Sequence, residues 1–143
     1  GQQQKFDHWL GRPHRIPAQQ TAELRAAVAS WDRLPTTLVP THGDNQPRNW
    51  LVDDSGRIRL IDFGRAELRP AATDVARLSR QDFLRDAALE AAYWEGYGTD
   101  LRGEELHRAQ MMEAVGTAVW AFDIGDEDFE AHGLRLVEML TGD

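Results

Sequence analysis

The chain has 143 residues, 41% of them apolar and 28% charged, a globular composition long enough to bury a core. It contains no cysteine, which excludes disulfides, thiolate metal sites and cysteine nucleophiles. A net charge of −8 argues against nucleic acid as the main partner, and no stretch approaches the roughly 18 uninterrupted apolar residues of a membrane span.

In chain order, the first 18 residues are polar and punctuated by Pro13 and Pro17, so they read as a loop-like lead-in. The start GQQQKFDHW has no signal-peptide character, which makes the cytoplasm the expected compartment. A helix is expected from about Thr21 to Asp32, capped by Thr21, with Leu24, Val28 and Trp31 on one face and Pro35 ending it. Three short β-like pieces follow: Leu38-Val39, Trp50-Leu51-Val52 and Ile58 to Ile61. The last two flank Asp53-Asp54-Ser55-Gly56, a hairpin turn signal. Everything after Pro70 reads as helix. Phe83, Ala87, Ala91 and Trp94 share a face that Gly96 and Gly98 terminate, and Met111, Val115, Ala118, Val119 and Phe122 share another. Phe129, Leu136 and Leu140 support a last helix behind the acidic run Asp126-Glu127-Asp128. The expected fold is α+β and mostly helical, a single domain with a lead-in and helix over 1–35, a loop and hairpin over 36–66 and a helical part over 67–143.

The chemistry concentrates in His42-Gly43-Asp44-Asn45-Gln46-Pro47-Arg48-Asn49 and in Ile61-Asp62-Phe63-Gly64. A two-residue turn at Ser55-Gly56 would pair 54 with 57 and 52 with 59, placing Asn49 opposite Asp62 at the open end of the ribbon. A carboxylate beside an amide oxygen suits Mg²⁺, which takes few protein ligands and completes its shell with water and phosphate oxygens. Asp44, in the loop entering the same ribbon, suits orienting and deprotonating an attacking hydroxyl.

This layout resembles the catalytic lobe of the aminoglycoside phosphotransferase and choline kinase superfamily, relatives of protein kinases. The resemblance is tight over about residues 36–78. It implies that His42-Gly43-Asp44-x-x-Pro47-x-Asn49 is the HGDxxPxN catalytic loop, with Asp44 the catalytic base, Asn49 and Asp62 the Mg²⁺ ligands and ATP the co-substrate. Asp62-Phe63-Gly64 matches the DFG segment, and Asp74-Val75-Ala76 matches a D-[LV]-A pattern whose aspartate braces the catalytic loop. Gln46 departs from the His found in many members. The family's glycine-rich loop and strand lysine have no counterpart: fifteen of the sixteen cations are Arg, and the sole lysine, Lys5, lies on no convincing strand. The resemblance therefore extends to a C-terminal lobe with the N-terminal lobe absent.

The acidity is confined to the second half. Residues 1–81 carry 12 basic and 9 acidic groups, and residues 82–143 carry 4 and 15. Solvated helix faces account for this, and so does a cleft for a cationic acceptor, with Asp123, Asp126, Glu127, Asp128 and Glu130 as candidates. Three functions follow as expectations: a phosphotransferase acting on a hydroxyl of an aminoglycoside or other polar small molecule, a kinase-derived module for self-association, and a lobe that binds substrate without phosphorylating it. The five tryptophans are expected in the core, and the histidines other than His42 at the surface or in structural roles.

Overall fold

A computed structural model describes residues 1–31 and 36–142. The chain divides into two compact units, Gly1–Pro35 with Gln110–Asp143, and Thr36–Ala109.

The first unit is helical. It holds α1 (Gln2–Leu10), α2 (Ala18–Val28), most of α6 (Glu104–Ile124) and α7 (Glu127–Thr141). The helix α1 replaces the expected lead-in. Phe6 and Leu10, one turn apart, bury themselves against Leu24, Val28 and Trp31, so tertiary packing organises a polar stretch with only a few apolar anchors. Pro17, not Thr21, occupies the N-cap of α2; the Thr21 N–H already donates to the Pro17 carbonyl, inside the helix. The helix ends at Val28 with Ala29 as its C-cap, short of the expected Asp32, while Asp32 itself and the expected stop at Pro35 lie outside the described residues. Val115 and Val119 of α6 meet Leu136 and Val137 of α7 in the same core. Asp126 caps α7 by accepting from the Phe129 N–H at 3.0 Å.

The second unit carries the strands. β1 (Val39–Thr41) pairs antiparallel with β4 (Glu67–Arg69), and β2 (Trp50–Val52) with β3 (Ile58–Leu60). The strand β4 falls where a helical region is expected. Its backbone is claimed by β1, and Arg69 donates to Thr41 Oγ1 at 3.1 Å. The hairpin register is also one residue from expectation: Trp50 faces Leu60, Leu51 faces Arg59 and Val52 faces Ile58. Gly56 causes the difference. At φ +81 it takes a left-handed position that closes a three-residue loop, with the Gly56 N–H on the Asp53 carbonyl and the Asp53 N–H on the Arg57 carbonyl, both at 2.9 Å. Asn49 therefore lies opposite Ile61, whose N–H donates to the Asn49 carbonyl at 3.0 Å, and not opposite Asp62.

Three helices follow: α3 (Thr73–Arg80), α4 (Asp82–Arg85) and α5 (Ala87–Tyr97). The single helix expected from Phe83 to Trp94 is broken at Asp86, which leaves helical geometry and caps α5 by accepting from the Ala88 N–H. Of the two glycines expected to end the segment, Gly98 does so at the C-cap, in the left-handed conformation, and Gly96 lies within α5. Ala72, Val75, Leu78, Phe83, Trp94 and Leu106 form the core of this unit, with Trp50 packed against it, and so tie β2 to α3. Trp120 departs from the expected core placement: it is 47% exposed and edge-on to Phe129.

Candidate active site

The segment between β1 and β2 is held from outside itself. The Asp74 carboxylate, in the first turn of α3, accepts from the His42 N–H at 2.7 Å and the Gly43 N–H at 3.0 Å. The Asn45 side chain spans the loop, donating to the Asp74 carbonyl and accepting from the Trp50 indole N–H. His42 is buried. The Asp44 N–H donates to its Nδ1, which leaves Nε2 to carry the proton and donate to the Ile61 carbonyl at 2.7 Å. The imidazole thus joins the loop to the end of β3, with the Phe63 ring 4.7 Å away.

Gly43 has φ +88, and its backbone runs against the segment following Asp62. A Cβ there would collide with the Arg65 carbonyl oxygen and lie 2.8 Å from Arg69 Nη1. Only glycine satisfies both the conformation and the space. Pro47 opens the short 3₁₀ turn Pro47–Asn49, where its fixed φ suits the first position.

These constraints aim the Asp44 carboxylate. Its Oδ1 accepts from Gln46 Nε2 at 2.7 Å and Arg77 Nη1 at 3.0 Å. Its Oδ2 accepts from Asn49 Nδ2 at 3.0 Å, with Arg48 at 3.8 Å. Partial burial pushes the carboxyl upward, but the Asn49 amide, the Arg77 guanidinium, the Gln46 amide and the Arg48 guanidinium outweigh it and hold the group below the ordinary aspartate value. Asp44 is an ionised acceptor at neutral pH.

Asn49 is buried, and its Nδ2 donates to both the carbonyl and the carboxylate of Asp44, so Oδ1 is its remaining acceptor. Asp62 follows Ile61, exposed, at φ +62; it is the one described non-glycine residue with positive φ. Aspartate adopts this left-handed conformation more readily than most residues, and no hydrogen bond among the described residues engages the Asp62 carboxylate. Among the described residues no three His, Cys, Asp or Glu side chains gather as a metal cage. One amide oxygen and one carboxylate fit Mg²⁺, which binds through few protein groups and phosphate oxygens.

The structure brings together His42, Gly43, Asp44, Pro47, Asn49 and Asp74, and sets the Phe63 ring against His42 at a 56° tilt. Among the described residues no hydrogen bond or ion pair joins the Asp62 side chain to Asp44 or Asn49. The acidic candidates belong to the other unit and are partly engaged: Asp123 pairs with Arg12 at 3.0 Å, Glu130 is buried with Arg15 at 3.3 Å, and Asp126 is a helix cap. Glu127 and Asp128 stand exposed in the first turn of α7. Sequence reasoning missed Arg77, Asn45 and the role of Gln46. The available signal for Arg77 was its position three residues after Asp74, on the same face of α3.

A model of the phosphotransferase enzyme family matches residues 2–111. No curated protein matches by sequence. Several solved structures share the fold. A thermostable mutant of aminoglycoside phosphotransferase APH(4)-Ia is 22% identical at a TM-score of 0.67, covering 87% of this chain and 42% of that one. The same protein is known as a ternary complex with AMP-PNP and hygromycin B. Macrolide 2'-phosphotransferase type I is 21% identical at a TM-score of 0.63, covering 94% and 47%. Choline kinase LicA from Streptococcus pneumoniae is 16% identical at a TM-score of 0.75, covering 99% and 54%. The chain spans about half the length of the structures it matches.

Proposed function

The chain belongs to the phosphotransferase enzyme family, and on that premise we propose that it is the catalytic lobe of an ATP-dependent small-molecule kinase. The observation that carries this reading is the Asp44 carboxylate, kept ionised and aimed by donors from its own loop and from α3. The acceptor hydroxyl donates to Asp44, its oxygen attacks the γ-phosphorus of ATP, the bond from that phosphorus to the β–γ bridging oxygen breaks, and ADP leaves. The hydroxyl proton passes to Asp44. Asn49 Oδ1 and the Asp62 carboxylate would hold Mg²⁺, which supplies neutralisation of phosphate charge. Asp74, His42 and Gly43 fix the loop geometry, and Phe63 and Gly64 belong to the DFG segment beside it. A polar or cationic acceptor is supported by the acidic surplus of residues 82–143, in which Asp123, Asp126, Glu127 and Asp128 are exposed and Glu130 is buried.

The test is phosphoryl transfer from Mg·ATP to hygromycin B or choline by the complete protein. Asp44→Asn is expected to lower kcat by on the order of 10²–10⁴ without unfolding. Turnover at the wild-type level in that variant would remove the assigned role.

A second reading, a self-association module, is supported by the hairpin. Val52, Ile58 and Leu60 share one face with Trp50 and are 68%, 57% and 45% exposed. A thermal shift that needs ATP and Mg²⁺ together favours the kinase. Concentration-dependent sedimentation without that shift favours the module. No helix among the described residues is long and apolar enough to cross a membrane.

A further inference from the structure

We propose that Arg77 is a positioning residue for Asp44: with Gln46 it commits Oδ1, so that Oδ2 is the oxygen that receives the acceptor hydroxyl. The inference rests on the phosphotransferase reading and deepens it. A carboxylate oxygen offers two lone pairs, and on Oδ1 both are taken, by Gln46 Nε2 at 2.7 Å and Arg77 Nη1 at 3.0 Å. Among the described residues Oδ2 has one donor within hydrogen-bond distance, Asn49 Nδ2, and the exposed Arg48 guanidinium stands off at 3.8 Å. The remaining acceptor capacity is on Oδ2.

The final torsion of an aspartate is broad and nearly two-fold, so nothing intrinsic to the side chain selects which oxygen faces which way. The donors select it. Gln46 and Asn49 belong to the same loop as Asp44 and would move with it. Arg77 does not: it comes from α3, 33 residues further along the chain. One helical turn earlier, Asp74 on the same helix holds the N–H groups of His42 and Gly43, and its carbonyl holds Asn45. The first two turns of α3 thus fix the backbone of the loop and the direction of its reactive carboxylate together. A guanidinium suits this task better than an ammonium, because its planar geometry fixes an angle as well as a distance.

The side-chain amides of Gln46 and Asn49 both donate to the Asp44 carboxylate, so their NMR resonances report its orientation. In the full chain, Arg77→Gln is expected to displace both resonances while leaving the Gln19 side-chain amide, which donates to Glu23, in place. Arg77→Lys is expected to displace them in the same direction by less, and it decides alone if the glutamine variant does not fold. Wild-type positions in the folded variants overturn the inference. In the complete protein, with hygromycin B or choline as acceptor, Arg77→Gln should lower kcat by on the order of 100-fold with KM for ATP unchanged. An unchanged kcat overturns the inference as well. The resonances need no turnover, so an inactive wild-type protein counts against the phosphotransferase reading, and the amide spectrum still decides the role of Arg77.

Discussion

The carboxylate of Asp74 accepts the backbone N–H groups of both His42 and Gly43, at 2.7 and 3.0 Å, across more than 30 residues of sequence. Hydrogen bonds to a charged acceptor contribute about 1.5–3 kcal/mol each, and the cost of removal rises when the donors are left without a partner. Asp74→Ala should therefore destabilise the protein by about 3 kcal/mol or more, measured by urea unfolding. Asp74→Asn, which keeps one acceptor oxygen, should cost less. Hydrogen exchange at the His42 and Gly43 amides should accelerate in both variants; unchanged protection would show that Asp74 does not hold the loop.

Two glycines with nearly the same backbone angle should respond differently to alanine. Gly43 and Gly56 have φ +88 and +81. A Cβ at Gly56 meets nothing within 4 Å, so Gly56→Ala carries only the left-handed conformational penalty, about 1–2 kcal/mol. At Gly43 the same penalty is joined by collision with the Arg65 carbonyl, where backbone must shift. Gly43→Ala should cost at least about 2 kcal/mol more than Gly56→Ala and should abolish phosphoryl transfer, while Gly56→Ala leaves it intact. Equal thermal shifts in the two variants would contradict the close approach of Gly43 to Arg65.

Much of the site is visible in the sequence because its parts are local. His42 through Asn49 is one short loop, and Asp74 follows a recognisable pattern. What was not visible is long-range or geometric. Arg77 reaches Asp44 across 33 residues; its spacing from Asp74 puts the two on one face of α3, but the pairing with Asp44 depends on how that helix packs against the loop. The hairpin register turned on Gly56 forming a three-residue loop, a choice of turn type that Asp53-Asp54-Ser55-Gly56 does not dictate. The helix α1 has apolar anchors, but its stability comes from partners in α2 and beyond, among them Trp31, whose ring meets Phe6 edge-on at 5.9 Å. β4 is three residues long, and its partner lies 28 residues earlier, too little local pattern to separate it from the helices that follow.

At Gly133 the backbone of α7 lies close against Ala118 of α6. A Cβ on Gly133 would lie 2.6 Å from the Ala118 backbone nitrogen and 2.8 Å from its Cα, so the helices would have to separate. Forced separation of packed elements costs about 1–3 kcal/mol, and more where backbone meets backbone. Gly133→Ala, normally favourable within a helix by up to about 1 kcal/mol, should here lower the thermal midpoint. A rise in the midpoint would show that the two helices do not pack at this point.

Tyr93 gives the alkaline stability of the second unit a specific origin. Its ring packs against Phe83, Trp94 and Tyr97, and its hydroxyl is pushed up to about 12, first by burial and then by the negative charge of Tyr97 and Asp74. The folded protein thus holds this proton more tightly than the unfolded chain, where tyrosine titrates near 10. Stability from this group is fully present below about pH 10 and is lost as pH rises from there towards 12, because the unfolded state ionises first. Tyr93→Phe removes that proton linkage. Plotted from pH 9 to 12, the stability of the variant should fall less steeply than that of the wild type. Asp74→Asn should have a smaller effect in the same direction, since it removes one of the charges that raise the Tyr93 value. Parallel curves for wild type and Tyr93→Phe would mean that Tyr93 titrates as an ordinary exposed tyrosine, which its packing beside α3 and α5 does not allow.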